Sequence, residues 1–128
     1  MSERNVIQTD KAPAAIGPYS QGILAGSTLY ISGQLGIDPT TGKLVEDGTS
    51  AQAKQALENV MAILMKANMS MRDVVQVQVF LADIADFATV NEVYKTYFHE
   101  PYPARAAIQV GALPAGGKVE ILVTAVKS

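Results

Sequence analysis

Val119-Glu120-Ile121-Leu122-Val123-Thr124-Ala125-Val126 decides how the rest of the chain can fold. Val119, Ile121, Val123 and Ala125 alternate along one face, the period of two that a strand imposes. Leu122, Thr124 and Val126 make the second face nearly as apolar. Such a strand has two faces to cover. Ahead of it, Pro103-Ala104-Arg105-Ala106-Ala107-Ile108-Gln109-Val110 holds another strand, Ala106–Val110, with Leu113-Pro114-Ala115-Gly116-Gly117 as connection. The two runs set one guanidinium, Arg105, and one carboxylate, Glu120, in an otherwise apolar background.

Further upstream, Val74 to Leu81 places Val75, Val77, Val79 and Leu81 on one face and Gln76, Gln78 and Phe80 on the other, a third strand. Two amphipathic helices flank it. Thr49-Ser50-Ala51-Gln52 fits a capping box, with Thr49 as N-cap and Gln52 reaching back. Ala53, Ala56, Leu57, Val60, Leu64 and Ala67 form the apolar stripe behind it, widened by Met61, with the methionines read as core filler. The second helix starts at Asp83 or Asp86, carries Val90, Val93, Tyr94, Tyr97 and Phe98 as its stripe, and closes at Pro101 and Pro103. His99 at its end reads as structural.

Nearer the N-terminus, Tyr19–Ala25 and Thr28–Leu35 flank Gly26-Ser27 as a hairpin. Gly33 marks either a bulge or a place where a ligand meets the backbone. Asn5–Gln8 is an edge strand, Lys11–Pro18 a loop and Asp38–Lys43 a turn. The order is strand, hairpin, helix, strand, helix, two strands. It predicts an α+β sandwich, a mixed sheet with both helices packed on one face, in one domain over residues 1–128. Nothing in the chain remains to cover the other face. An uncovered apolar face predicts a closed symmetric oligomer, with sites in clefts between subunits.

Composition narrows the chemistry. The chain has no Cys and one His, which excludes disulfides, thiolate nucleophiles and Cys-held metals and leaves no basis for a His-rich metal site. Ten basic residues are scattered from Arg4 to Lys127 under a net charge of −2, so no basic stripe for nucleic acid is expected. No apolar run approaches the roughly 18 residues of a membrane span. Met1-Ser2-Glu3-Arg4-Asn5 lacks an apolar leader core, and a cytoplasmic domain is expected.

A carboxylate in a doubly apolar strand is costly unless paired, hydrogen-bonded or facing a cleft. Glu120 therefore reads either as a desolvated acid–base group with a raised pKa or as a strand-end carboxylate in water. Arg105 reads either as a bidentate anchor for a planar carboxylate or as an ordinary surface arginine. If the last two strands form a simple hairpin, Glu120 lies opposite about position 110, and Arg105 must reach back. Otherwise the two strands are not neighbours.

The motifs around these residues resemble those of the RidA/YjgF family, the reactive enamine/imine intermediate deaminases. Pro103 to Leu113, followed by Val119-Glu120-Ile121, looks like the family signature. Ala12-Pro13-Ala14-Ala15-Ile16-Gly17-Pro18-Tyr19-Ser20-Gln21-Gly22 resembles its N-terminal loop, Ile31-Ser32-Gly33-Gln34 its second-strand motif, and Asp86-Phe87-Ala88-Thr89-Val90-Asn91 its second-helix start. The resemblance implies a chorismate-mutase-like fold and a homotrimer with sites in intersubunit clefts. It implies hydrolysis of 2-aminoacrylate, 2-aminocrotonate and related imines to 2-keto acids and ammonia, without cofactor or metal. Arg105 matches the substrate-carboxylate anchor and Glu120 the acid that positions water. Tyr19, Ser32, Gly33, Asn91 and Ala107 match substrate-binding positions. Ala107 stands where many relatives carry Cys, so any thiol contribution is absent while a backbone N–H contact would survive. The competing expectation is a regulatory module that binds small 2-keto carboxylates without turnover.

Overall fold

Turn chemistry accounts for the first half of the sheet. The computed structural model describes residues 4–128, leaving Met1–Glu3, part of the segment read for a leader, outside the described residues. Strand β1 (Arg4–Ile7) pairs antiparallel with β2 (Gly22–Ala25). Gly26, at φ 61°, takes the left-handed turn position that glycine adopts without a Cβ penalty. It turns the chain into β3 (Thr28–Leu35). A short pair then appears, β4 (Ile37–Asp38) and β5 (Lys43–Leu44), around the expected turn. The Asp38 carboxylate accepts from Thr40 N–H at 2.8 Å and from its hydroxyl at 2.7 Å, which fixes the bend and holds that carboxyl below its ordinary pKa.

Helix α1 (Gly48–Lys66) corrects the capping expectation. Its N-cap is Asp47, with no side-chain cap bond. The Thr49 hydroxyl instead donates to Asp86 Oδ2 at 3.1 Å, and the buried Gln52 carboxamide accepts from Lys118 N–H at 2.9 Å. A buried carboxamide needs a partner more than a solvated helix start does, so the tertiary bond wins. The stripe is as expected except that Ile63, fully buried, widens it rather than Met61. Met65 is 64% exposed and fills no core.

Strand β6 (Val74–Leu81) buries Val77, Val79 and Leu81. Val75 was expected beside them and is turned outward instead. The pairing register slips between Val74 and Gln76, so Val74 takes the buried side. Helix α2 (Phe87–Tyr97) follows a short turn in which the Asp83 carboxylate accepts from Ala85 N–H at 2.9 Å. It buries Val90 and Tyr94, with Phe98 just beyond its end. Strand β7 (Ala104–Gln109) begins two residues earlier than its pattern indicated, and β8 (Val119–Val126) has the expected bounds.

The main sheet runs β1-β2-β3-β8-β6-β7. Only β7 lies parallel to its neighbour; every other pair is antiparallel, so the sheet is mixed. α2 is the crossover that a parallel pair requires. The last two strands are therefore not a hairpin, because β6 separates them. α1 packs on β3 and β8 and against α2 on one face. The opposite face leaves Tyr30, Ile108 and Val126 exposed, with no covering element among the described residues.

Candidate active site

Arg105 stands on the helix-covered face. It pairs with Val77, which pairs with Val123, and both valines are buried beneath the helices. Because β7 is an edge strand, the guanidinium emerges at the sheet margin under α2. Phe87, Asn91 and Tyr94 fall at i, i+4 and i+7, one stripe of that helix. Asn91 Oδ1 accepts from Arg105 Nη1 at 2.7 Å. The guanidinium carbon lies 4.6 Å from the Tyr94 ring centroid and 5.3 Å from that of Phe87, within cation–π range. The one ion pair among the described residues is Lys95–Glu92 at 2.9 Å, so no carboxylate engages Arg105. Arg105 lines a cavity of about 410 Å³ together with Asn91, Tyr94, Lys95, Tyr102 and Pro103. Its guanidinium fork suits a small planar anion by bidentate hydrogen bonding. Burial raises the Tyr94 hydroxyl pKa, opposed by the neighbouring guanidinium. Ala107, two residues along the same face, packs its methyl on the core.

Glu120 stands on the opposite, open face. The β3–β8 register shifts between Ile31 and Gln34, leaving Ser32 and Gly33 in a bulge. A Cβ on Gly33 would meet Glu120 Oε2 at 2.8 Å and Cδ at 2.9 Å. Of the two readings of Gly33, the bulge is present, and the side chain that approaches its backbone within the chain is Glu120. Burial raises the Glu120 pKa, and no ion pair opposes it.

Ser32 ties this bulge to the N-terminal loop. Its hydroxyl donates to Ser20 O at 2.6 Å and its N–H to Gln21 O at 2.9 Å. Gln21, buried, accepts from Thr9 N–H at 2.7 Å and shares its amide protons among the carbonyls of Pro13, Thr9 and Ala12 at 2.8, 3.0 and 3.2 Å. That clamp fixes the loop from which Tyr19, 52% exposed, projects. Gln21, Phe87 and Tyr94 were not singled out as site residues from the sequence. Tyr94 carried only a core-stripe signal, and Gln21 no signal beyond lying in a quoted motif.

The structure therefore gathers the predicted residues into two groups. Arg105, Asn91 and Ala107 lie together at the β7 margin, while Glu120, Gly33, Ser32 and the Tyr19 loop lie together on the open face. Glu120 pairs through Phe80 to Ile108, three residues from Arg105, which puts the two Cα atoms about 14 Å apart on opposite faces. One chain does not bring them together. No three His, Cys, Asp or Glu side chains gather as a metal site would need, among the described residues.

Comparison with known proteins adds a lineage to this geometry. A family model described as Endoribonuclease L-PSP matches residues 9–127. The chain is 58% identical over 124 residues to a Bos taurus protein named 2-iminobutanoate/2-iminopropanoate deaminase, covering 97% of this chain and 90% of that one. The Homo sapiens protein of the same name is 55% identical with the same coverage. Among solved structures, RidA from an Antarctic Psychrobacter matches with a TM-score of 0.93 at 54% identity, covering 96% of this chain and 99% of that one. E. coli TdcF, solved with bound serine, matches with a TM-score of 0.92 at 46% identity, covering 97% and 99%.

Proposed function

The chain belongs to the RidA/YjgF family, the proteins of the Endoribonuclease L-PSP model, and from that premise we propose how Arg105 and Glu120 divide its reaction. The activity is hydrolytic deamination of enamine/imine intermediates, such as 2-iminobutanoate and 2-iminopropanoate, to 2-keto acids and ammonia. Arg105 grips the substrate carboxylate with its free fork, while the aromatic cradle and Asn91 fix the fork's plane. Water adds to the imine carbon as Glu120 accepts its proton; the C=N bond becomes C–N. Glu120 returns that proton to the nitrogen, giving the carbinolamine, then takes the carbinol hydroxyl proton and passes it to the amine; the C–N bond breaks, and ammonia leaves as the carbonyl forms. A carboxylate whose pKa burial raises is a better proton acceptor for this shuttle than a solvated one.

The observation that carries the reading is the placement of anchor and acid on opposite faces of one sheet. Both serve one substrate only if the β7 margin of one subunit meets the open face of the next. A closed homotrimer with three intersubunit clefts satisfies this, and the exposed Tyr30, Ile108 and Val126 supply apolar surface for it. Tyr19, Ser32 and Gly33 then wall the Glu120 side of each cleft, and Asn91 and the Ala107 backbone the Arg105 side. The unit that assembles is one domain over residues 1–128 and resides in the cytoplasm. Its partners are small 2-imino and 2-keto carboxylates and its own copies. With charges dispersed and net −2, RNA is not among them, whatever the family model's name. No helix among the described residues is long and apolar enough to cross a membrane.

The serine held by E. coli TdcF favours a second reading, carboxylate binding without turnover. Trapping newly released imine as its semicarbazone, in a dehydratase-coupled assay, separates the two. Faster disappearance of the imine with the protein present is the expected result. An unchanged rate, with 2-oxobutanoate still bound, leaves only the binding role.

A further inference from the structure

Tyr94 is 4% exposed, and its hydroxyl is the one buried side-chain polar atom without a hydrogen-bond partner among the described residues. A phenylalanine would fill the same volume without burying an unpaired hydroxyl. The ring cannot turn away to find a partner. It packs on the buried Phe98 at 4.5 Å between centroids, and helix α2 holds its backbone. What faces it is exposed by comparison. Arg105 is exposed, tied by one 2.7 Å bond to Asn91, with its guanidinium carbon 4.6 Å from the Tyr94 ring centroid.

We propose that Tyr94 is a positioning residue for Arg105: its ring sets the plane of the guanidinium, and its buried hydroxyl accepts an Arg105 N–H once a substrate carboxylate is gripped. The guanidinium has five N–H donors. A carboxylate takes two along one edge, Asn91 takes one, and the Tyr94 hydroxyl takes another from a second side, which stops rotation of the fork. In the free protein the guanidinium lies near enough to oppose the rise in the hydroxyl pKa but outside hydrogen-bond geometry, so the bond is completed on binding. The inference rests on the reading of Arg105 as carboxylate anchor and deepens it.

The test uses the full chain and 2-oxobutanoate as the probe, titrated calorimetrically, beside imine hydrolysis. Tyr94→Phe is expected to weaken 2-oxobutanoate binding and raise KM about tenfold, the loss of one charge-assisted bond, while kcat changes less than about twofold. Its Tm stays at or above the wild-type value. In an Arg105→Lys background, where a point charge has no fork to orient, the same substitution changes binding less than about twofold. Unchanged Kd and KM in a folded Tyr94→Phe protein would overturn the proposal, as would an equal tenfold loss in the Lys background. Should Tyr94→Phe not fold, the wild-type Arg105 guanidinium protons decide by NMR. Protection from exchange on adding 2-oxobutanoate supports the bond, and no change refutes it. A wild type that binds 2-oxobutanoate without hydrolysing imines removes the deaminase reading yet leaves the Tyr94 comparison decisive. A wild type that does not bind it overturns this proposal directly.

Discussion

The two halves of the site are held by opposite means. Arg105 is held by what surrounds it: two aromatic rings, an amide oxygen and a helix stripe placed for it. Glu120 is held by what is missing, the side chain that Gly33 lacks. The difference follows from the charges. A guanidinium is delocalised and weakly hydrated, so aromatic faces and one neutral acceptor keep it in place without neutralising it. A carboxylate that must take up a proton is better left half-buried and unpaired, because a cation beside it would pull its pKa down. Its orientation must then come from shape alone.

The largest effects are expected where the contrast is broken outright. Arg105→Ala removes a charged partner of the substrate and should lower kcat/KM about a thousandfold. Glu120→Gln should lower kcat about a hundredfold with KM little changed. Refolding these two inactive proteins together sharpens the comparison, because a cleft that takes Arg105 from one chain and Glu120 from the next regains both in about a quarter of its random pairings. Recovered activity in the mixture is the expected readout; a mixture as inactive as its components would return the site to single chains.

Gly33→Ala attacks only the half held by absence. Its Cβ at 2.8 Å from Glu120 Oε2 forces the carboxylate aside. A roughly tenfold fall in kcat is expected, at unchanged affinity for 2-oxobutanoate, since Arg105 is untouched. Equal kcat for the variant and the wild type would mean that the slot does not aim the acid.

The smallest effect concerns stability and pH. Burial raises the Glu120 pKa, so the folded chain holds that proton more tightly than the unfolded one. The contribution to stability is present below the unfolded carboxylate pKa and is lost as pH rises through the folded value. Glu120→Gln should therefore gain Tm relative to wild type at pH 7, with the gain fading below the ordinary carboxylate range. A Tm difference independent of pH would show that burial does not disfavour the charge.

Much of the fold was legible because it obeyed short-range rules. The bounds of Val119–Val126, the Gly26 turn and the α1 stripe all follow from period and backbone preference. The misreadings came where one residue had two possible partners. Thr49 and Gln52 suit a capping box locally, but Asp86 and the Lys118 N–H lie 37 and 66 positions away and win. Val75 fits its alternation until a slip in pairing, set by β8, turns it outward. The site was legible as a set of residues and not as a place. Arg105 and Glu120 stand out by composition, whereas the intervening β6 that separates them and the register that puts them on opposite faces are facts of topology.

That topology also constrains how the chain is made. β8 pairs with β3 on one side and β6 on the other, so the seam of the sheet is its last strand. Until β8 leaves the ribosome, the N-terminal meander and the β6–α2–β7 unit share no ladder, and each presents a bare strand edge. Synthesis therefore proceeds through a stage in which every other strand of the sheet exists without the central one. Two half-sheets wait then for one segment, and chaperone demand should concentrate in that interval. The eight residues that finish the fold also deliver the acid, so no partly built chain carries a complete site.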